Sequence, residues 1–285
     1  MTRFCLGEVR LSVLSAGTLW LDGGAMFGIV PRVLWERERP ADDRHRIRMA
    51  MNLLLIEDGG RRILVDTGAG TKLDGRAREI YGLSAPPLDT VLAPAGLRPD
   101  QIDVVVNTHL HFDHAGGNTL RTADGALEAA FPNATYVVQR AELEIAQGGA
   151  NERVRASFPG ENFAPLLDEP DRLQVVVGEA AVSEHVRVRP APGHTPGMQL
   201  VLVESGGKTV AFMADLLPTA SHAPYTWIMA FDLEPLTTLA TRHQVYPEAI
   251  AGEWVLVLEH DHEMPLAVLE ERNGRPRVRP WAPEE

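Results

Sequence analysis

The feature that most constrains this chain is the hexapeptide HLHFDH at positions 109–114, which follows an apolar run typical of a buried β-strand. In an extended segment, side chains two residues apart point to the same side, so His109 and His111 can reach one metal ion together. Asp113 and His114 come after the strand end, where they can hold a second ion. Three imidazoles and one carboxylate so close together favour a divalent metal ion that binds both nitrogen and oxygen ligands, and zinc is the commonest such ion.

Composition excludes several classes of partner. With 285 residues, 45% of them hydrophobic, the chain can bury a large core. Its net charge of −12 makes nucleic acids and anionic membranes unfavourable partners. Cys5 is the only cysteine, which excludes an intrachain disulfide and fits a reducing compartment. Since neither a signal peptide nor an apolar run of about 18 residues is visible, the sequence predicts a cytoplasmic protein that acts on a small molecule.

The order of the predicted elements indicates the fold class. Turns that contain two glycines, at 57–60 and 204–207, predict two β-hairpins in two separate blocks of strands. Helices are expected around each block. The pattern predicts an α/β fold with two packed sheets and helices outside them, in a single domain over 1–285. Loop insertions are expected near 17–48 and 148–172, where no clear periodicity is visible.

Three more residues of ligand type follow predicted strands. His194 lies in a loop rich in glycine and proline, while Asp215 and His260 each follow an apolar strand. A ligand at a strand end is held by the sheet and stays open to substrate. His262 is an alternative to His260 two residues later. Together with the hexapeptide, these residues predict a metal centre.

The residues and their order resemble the metallo-β-lactamase-fold hydrolase superfamily, over nearly the whole chain from the Asp66-Thr67-Gly68 motif to Glu259-His260. The resemblance implies a four-layer αββα sandwich with the site along one edge of the sheets. It implies one metal ion held by His109, His111 and His194. It implies a second ion held by Asp113, His114 and His260, with Asp215 bridging both. Asp66 is expected to orient one of the ligand histidines.

Within the superfamily, the ligand set resembles that of N-acyl-homoserine-lactone lactonases and methyl parathion hydrolase. Those lactonases usually have a tyrosine three positions after the bridging aspartate, where this chain has Pro218. His222 and Tyr225 are the candidates for the missing hydrogen-bond donor. Asp113 is expected to take part in catalysis as well as in metal binding. The stretch over 231–235 is more similar to the methyl parathion hydrolase branch.

The segment over 24–35 is expected to supply the substrate pocket, with Met26, Phe27 and Trp35 in contact with the substrate. Apolar walls favour acyl chains or aromatic leaving groups. The sequence therefore predicts a hydrolase of small apolar esters or lactones, with phosphotriesters as a side activity. It would use two divalent ions and a hydroxide between them. Zinc is expected first, with iron, cobalt or manganese as alternatives.

Two other functions stay open at this point. One is a persulfide dioxygenase-like enzyme, which would hold a single iron, and the other is a glyoxalase II-like thioesterase. Metal identity and metal count separate the first of these from a dinuclear hydrolase. The resemblance also implies a homodimer as one form of assembly, since members of this branch are often dimers.

Overall fold

The computed structural model describes residues 1–149 and 152–283. Its strands, in chain order, are β1 (Thr2–Leu6), β2 (Val9–Asp22), β3 (Arg46–Asp58), β4 (Arg61–Val65), β5 (Val104–Val106), β6 (Thr119–Arg121), β7 (Leu127–Ala129), β8 (Thr135–Gln139), β9 (Leu173–Val176), β10 (Ala180–Ala181), β11 (Val186–Pro190), β12 (Gln199–Ser205), β13 (Lys208–Phe212), β14 (Val255–Val257), β15 (Leu266–Arg272) and β16 (Arg275–Pro280). Its helices are α1 (Gly23–Phe27), α2 (Arg32–Glu38), α3 (Gly75–Ile80), α4 (Leu88–Leu92), α5 (Phe112–Ala115), α6 (Arg140–Glu144), α7 (Ala164–Leu167) and α8 (Pro235–Ala251).

Most strands belong to two mixed sheets. The first sheet has the order β1-β2-β3-β4-β5-β8-β9, and the second has the order β10-β11-β12-β13-β14-β15-β16. β5 pairs in parallel with both β4 and β8, and β13 pairs in parallel with β14. β6 and β7 form a separate small hairpin. Parallel neighbours end at the same edge of a sheet, and this edge is where polar loop residues can meet.

Alternation along β3 shows how the layers pack. Leu54 faces the second sheet and shares a core with Phe212 of β13. Leu53, its neighbour in sequence, belongs to the cluster on the opposite face, which includes Leu92 of α4. Tyr246 of α8 packs against the second sheet. This succession of helix, sheet, sheet and helix confirms the αββα sandwich expected from the sequence.

The two predicted hairpins are confirmed. β3 and β4 pair in antiparallel fashion around Gly59 and Gly60, and β12 and β13 do so around Gly206 and Gly207. These glycines have positive φ angles, 55° and 85° in the first turn and 60° and 73° in the second. Such angles are strained for residues that have a Cβ, which is why a double glycine predicts the turn.

The segment over 17–48, expected as a loop insertion, is largely regular structure. β2 extends to Asp22 and continues to pair with β3 beyond a bulge between Ser15 and Thr18. α1 and α2 then precede β3. The bulge shifts the register, so the alternation of apolar residues that marks a strand is interrupted and the sequence prediction was wrong here.

The second expected insertion, over 148–172, consists of short helical turns in its described part. Phe158 and Phe163 are buried there, in a small cluster with Leu110. The insertion therefore packs against the loop that follows β5. Among the helices in the described ranges, none combines the length and apolar character that a membrane span requires.

Candidate metal centre

The candidate ligands lie just after strand ends at one edge of the sandwich. His109 and His111 follow β5, His194 follows β11, Asp215 follows β13 and His260 follows β14. β11, β13 and β14 run in the same direction within the second sheet, so their carboxyl ends meet at one edge. The hydrogen-bonded strands hold the backbone beside each ligand in place.

Two glycines after the hexapeptide allow a close approach of backbone to backbone. A Cβ on Gly116 would lie 2.2 Å from the carbonyl oxygen of Ala69, and one on Gly117 would lie 2.4 Å from that of Thr67. Gly116 has a φ of −60°, and Gly117 also lacks a positive φ. Glycine is therefore needed for contact with the segment after β4, which contains Asp66, and not for an unusual φ angle.

The first group of ligand atoms contains His109, His111, His194 and Asp215, all within 4.8 Å of one another. The Nε2 atom of His194 lies 3.0 Å from Oδ2 of Asp215 and 3.0 Å from Nδ1 of His111. The Nε2 atom of His109 lies 3.9 Å from the same Asp215 oxygen. This is the set that the sequence predicted for one ion, together with the predicted bridging residue.

The second group contains Asp113, His114 and His260, also within 4.8 Å of one another. The Nε2 atom of His260 lies 3.2 Å from Nε2 of His114 and 3.8 Å from Oδ2 of Asp113. Asp215 contacts this group as well, because its Oδ1 lies 3.1 Å from Nε2 of His260. Asp215 thus lies between the two groups, and its Oδ2 is also 3.7 Å from Nε2 of His114.

Unpaired buried atoms show whether these residues fit metal ions. The Nε2 atoms of His109 and His111 are buried and have no hydrogen-bond partner among the residues that the structure describes. An unsatisfied buried polar group costs about 1–3 kcal/mol. Imidazole nitrogens and carboxylate oxygens are the usual ligands of zinc and related divalent ions. The residues of both groups therefore fit divalent ions, and Asp215 contacts histidines of both groups.

Asp66 and Glu259 both contact the far side of His114. Its Nδ1 lies 3.1 Å from Oδ2 of Asp66 and 2.9 Å from Oε2 of Glu259. Asp66 also accepts hydrogen bonds from the backbone N–H and the hydroxyl of Thr108, at 2.7 and 2.6 Å. These contacts turn Nε2 of His114 towards the ligand cluster, which is the geometry expected of Asp66.

The other ligand histidines have acceptors of their own. Nδ1 of His194 lies 3.0 Å from Oδ1 of Asp232, which also accepts a hydrogen bond from the Thr238 hydroxyl at its other oxygen. Nδ1 of His260 lies 2.8 Å from the backbone carbonyl of Ala50. Each acceptor fixes one ring nitrogen and leaves the other free to face a metal ion. Sequence reasoning missed Asp232 and Glu259, although both lie within motifs that were compared with the superfamily.

His262, the alternative to His260, belongs to neither group. Its Nε2 lies 3.8 Å from the exposed side chain of Glu263, and about a quarter of its own side chain is exposed. Since His260 is buried and contacts Asp215, His260 is the better candidate for the ligand.

Burial and neighbouring charges shift the protonation of this cluster. Burial lowers the pKa of His109 and of His111 well below the usual value, and adjacent imidazoles lower it further. Burial also opposes charge on His194 and His260, but the adjacent Asp215 outweighs it and raises their pKa values to about 10 and about 9. Against the effect of burial, the histidines hold the pKa of Asp215 well below its usual range. The carboxylate charge of the cluster therefore needs positive partners, which divalent cations supply.

A cavity with about 740 Å³ of free space, solvent at its mouth included, opens onto the cluster. Five candidate ligands line it: His111, Asp113, His194, Asp215 and His260. Its remaining walls are mostly apolar and are formed by Leu21, Met26, Tyr81, Phe112, Arg153, Val154, Ser157, Met229, Ala230, Phe231 and Leu233. Such a cavity suits an apolar ligand that presents a polar group to the cluster.

Of the residues predicted to contact substrate, Met26 lines this cavity and Phe27 and Trp35 do not. Phe27 has no exposed surface, and its ring stacks on Trp35 and on His222 with centroids 5.4 and 4.5 Å apart. Phe27 and Trp35 are therefore core residues in this structure, which argues against their predicted contact with substrate. Neighbouring residues of a helix point in different directions, so α1 directs Met26 to the cavity and Phe27 to the core.

The two candidates for the missing donor do not line the cavity either. Nδ1 of His222 accepts a hydrogen bond from the Thr219 hydroxyl at 2.7 Å, and Nε2–H donates to the Met26 carbonyl at 2.8 Å. Burial lowers the pKa of His222 to about 3, so the ring is neutral. The Tyr225 ring stacks on His243, with centroids 4.0 Å apart. Both rings have structural partners, which argues against the prediction that either one donates a hydrogen bond to the substrate.

Comparisons with known proteins agree with this geometry. The chain matches the family model described as the metallo-beta-lactamase superfamily over residues 49–260. It is 33% identical over 165 residues to an N-acyl homoserine lactonase from a Bacillus species, a match that covers 54% of this chain and 57% of that enzyme. The chain thus spans little more than half the length of that relative.

Two solved structures are similar over almost the whole chain. A probable metal-dependent hydrolase from Staphylococcus aureus has a TM-score of 0.89 and 26% identity, with 99% of each chain covered. A dizinc quorum-quenching lactonase in complex with a hydrolysis product has a TM-score of 0.82 and 21% identity, with 100% of this chain and 98% of that chain covered. Since the family model includes every candidate ligand from His109 to His260, the chain belongs to the metallo-beta-lactamase superfamily.

Proposed function

We propose that this protein is a dinuclear metal-dependent hydrolase of small apolar esters or lactones, with N-acyl-homoserine lactones as the first candidates. One observation carries the proposal: Asp215 lies between two groups of buried histidines whose ligand atoms face each other. Two complete groups of ligand atoms favour a dinuclear hydrolase over a persulfide dioxygenase-like protein, which would hold a single iron.

Bound ions would polarise the substrate carbonyl and lower the pKa of a water molecule, which gives a nucleophile at neutral pH. His109, His111 and His194 would hold one ion, and Asp113, His114 and His260 the other. The chain itself contributes orientation, because each of His114, His194 and His260 is fixed by an acceptor on its far nitrogen. Asp113 also lines the cavity, so its carboxylate can carry a proton to the departing oxygen of the substrate.

The cavity walls support an apolar substrate. Met26, Phe112, Met229, Phe231 and Leu233 can surround an acyl chain or an aryl group next to the ligand cluster. The Bacillus relative is an N-acyl homoserine lactonase, and the dizinc neighbour holds the product of such a lactone. Zinc is therefore the first metal to test, with iron, cobalt and manganese after it. Phosphotriesters, which are also apolar electrophiles, are proposed as side substrates.

Metal analysis combined with a substrate panel tests the proposal. Protein purified without added metal is expected to contain roughly two divalent ions per chain. After metal removal, zinc should restore hydrolysis of N-acyl-homoserine lactones and aryl esters, with weaker turnover of a phosphotriester. A glyoxalase II-like enzyme would hydrolyse a thioester of glutathione efficiently, whereas the proposed hydrolase should turn it over poorly. One tightly bound iron in active protein, or turnover limited to the thioester, would refute the proposal.

A homodimer is part of the same proposal. Ile29 and Val33, on the α1–α2 segment, are exposed by 94% and 68%. Exposed apolar side chains of this size are common at contacts between subunits. Light scattering during gel filtration, compared with Ile29→Glu protein, tests the assembly independently of the activity.

A further inference from the structure

The position three residues after Asp215 has no side-chain donor in this chain. Pro218 lacks an N–H group, and its carbonyl oxygen accepts a hydrogen bond from the backbone of His260 at 3.0 Å. His222 and Tyr225 have other partners, as described above. A donor to the substrate must therefore come from another wall of the cavity. Apart from the candidate ligands, the polar side chains on these walls belong to Tyr81, Arg153 and Ser157.

Tyr81 follows α3 and is held close to the second ligand group. Its backbone N–H donates to the Ala77 carbonyl at 3.0 Å, and its carbonyl accepts from the Trp20 N–H at 2.6 Å. Its ring stacks on Phe112, with centroids 4.9 Å apart. Since Phe112 directly precedes Asp113, this contact holds the Tyr81 ring beside the segment that contains Asp113.

The hydroxyl of Tyr81 is available for a ligand. It makes no hydrogen bond with any side chain or backbone group in the described ranges. Burial raises the pKa of Tyr81, and the charge of Asp113 raises it further. At neutral pH the phenol therefore keeps its proton and is a hydrogen-bond donor.

The other two polar side chains are less suitable. The Arg153 guanidinium donates to the Ala230 carbonyl at 3.0 Å and is exposed. Ser157 adjoins Phe158, whose ring packs 4.6 Å from the ring of His111. The described contacts of this segment thus lead to His111 of the first ligand group.

We propose that the Tyr81 hydroxyl donates a hydrogen bond to the leaving-group oxygen of the bound ester or lactone. This inference depends on the proposed hydrolase function. Tyr81 and Asp113 line the same cavity, and the Tyr81 ring stacks on Phe112, the residue before Asp113. A leaving oxygen that lies on the Asp113 side of the cavity is therefore within reach of the Tyr81 hydroxyl.

Tyr81 is chemically unchanged by the hydrolysis step. A water-derived oxygen bonds to the acyl carbon, and the bond from that carbon to the leaving oxygen breaks. The attacking water gives up one proton, the electron pair of the broken bond stays on the leaving oxygen, and that oxygen takes up the proton. Tyr81 keeps its own proton and stabilises the negative charge that develops on the leaving oxygen. The products are a carboxylic acid and an alcohol.

Leaving groups of different basicity test this role. A lactone releases an alkoxide-like oxygen that needs a donor, whereas a 4-nitrophenyl ester releases a stabilised phenolate that does not. Tyr81→Phe should lower kcat/KM for the lactone by about 10- to 100-fold, the effect expected for a hydrogen bond to a charged group. The loss for the nitrophenyl ester should stay below about 3-fold. Tyr225→Phe, which removes a hydroxyl outside the cavity, is the matched control and should change neither rate.

Product binding supplies a second readout that does not depend on turnover. N-Hexanoyl-homoserine contains the former leaving oxygen as a hydroxyl, and N-hexanoyl-2-aminobutyrate lacks it. By calorimetry on zinc-loaded protein, Tyr81→Phe should weaken binding of the first compound by about 10-fold or more and leave the second unchanged. Elemental analysis should find the same zinc content in both proteins.

The outcomes separate this inference from the proposed function. Equal losses on both substrates, or equal losses of affinity for both compounds, would overturn the role at the leaving oxygen. Unchanged rates and affinities would also overturn it. Wild-type protein that hydrolyses neither substrate would refute the proposed function, and calorimetry would then still decide whether Tyr81 recognises the hydroxyl.

Discussion

Glu142 accepts a hydrogen bond from the backbone N–H of Leu110 at 2.9 Å. Leu110 lies between His109 and His111, so this bond fixes the loop that carries both ligands. The other Glu142 oxygen accepts a hydrogen bond from the hydroxyl of Thr195, the residue after His194. One buried carboxylate on α6 thus connects the two loops that supply the first ligand group. Burial raises the pKa of Glu142, although these hydrogen bonds act to lower it.

Glu142→Gln is expected to weaken zinc binding by about 10- to 100-fold. The amide nitrogen cannot accept a hydrogen bond, so the Leu110 N–H and the Thr195 hydroxyl can no longer donate to one oxygen each of residue 142. Competition with a chromophoric chelator measures the affinity. Glu144→Gln, which changes an exposed residue of the same helix, is the control and should bind zinc like the wild type. Equal affinities in the two variants would show that Glu142 does not position the ligand loops.

Phe27→Ala is expected to lower the free energy of unfolding by about 3–5 kcal/mol, the usual cost of removing a buried aromatic ring. Phe27 has no exposed surface and contacts both Trp35 and His222. Urea unfolding measures the effect, with Val177→Ala as a control because Val177 is 71% exposed and has no proposed role. Any change in kcat/KM should be the same at every acyl chain length. A loss confined to long acyl chains would place Phe27 in the substrate pocket after all.

Phe231→Ala should raise KM for long-chain lactones more than for short ones. Phe231 lines the cavity and is 39% exposed, so its ring is available to an acyl chain. Each lost methylene contact is worth up to about 0.8 kcal/mol, or roughly 4-fold in kcat/KM. A graded acyl series measures the dependence on length. Leu236→Ala changes a residue that is 81% exposed outside the cavity walls, and it should leave the whole series unchanged. A length-independent effect of Phe231→Ala would contradict this prediction.

The candidate ligands could be predicted from the sequence because metal chemistry and strand ends restrict both residue type and position. His109, His111 and Asp215 come within a few residues of the end of an apolar run, and such a pattern is visible in the sequence. Glu142 and Asp232 leave no comparable pattern. Each is a single acidic residue, and its role depends on loops from distant parts of the chain that meet only in the folded protein.

The substrate walls were harder to predict for a different reason. Met26 and Phe27 are adjacent apolar residues on a short helix, and composition cannot tell which of them faces the core. The answer depends on the direction of α1, which the bulge in β2 and the contacts of Trp35 determine. No sequence pattern marks Tyr81, because a tyrosine at the end of a helix is usually a packing residue.

Far from the candidate ligands, Asp58 and His185 connect the two sheets. Asp58 ends β3 in the first sheet, and its Oδ1 lies 2.8 Å from Nδ1 of His185, just before β11 in the second. Its Oδ2 accepts hydrogen bonds from the Ser183 hydroxyl and the His185 backbone N–H. The hydrogen bond to Asp58 is the main cause that raises the pKa of His185 above its usual value.

This pair predicts how stability depends on pH. A histidine whose pKa is raised on folding stabilises the fold fully below its unfolded pKa, about 6.5, and loses this contribution as pH rises through the folded value. The stability difference between wild type and His185→Gln should therefore be largest near pH 6 and should shrink towards pH 9. Urea unfolding across this range measures it, with His243→Gln as a control because His243 stacks on Tyr225 and forms no ion pair within the described ranges. A difference that stays constant with pH would mean that His185 contributes by packing and neutral hydrogen bonding, and that its charge has no part in joining the sheets.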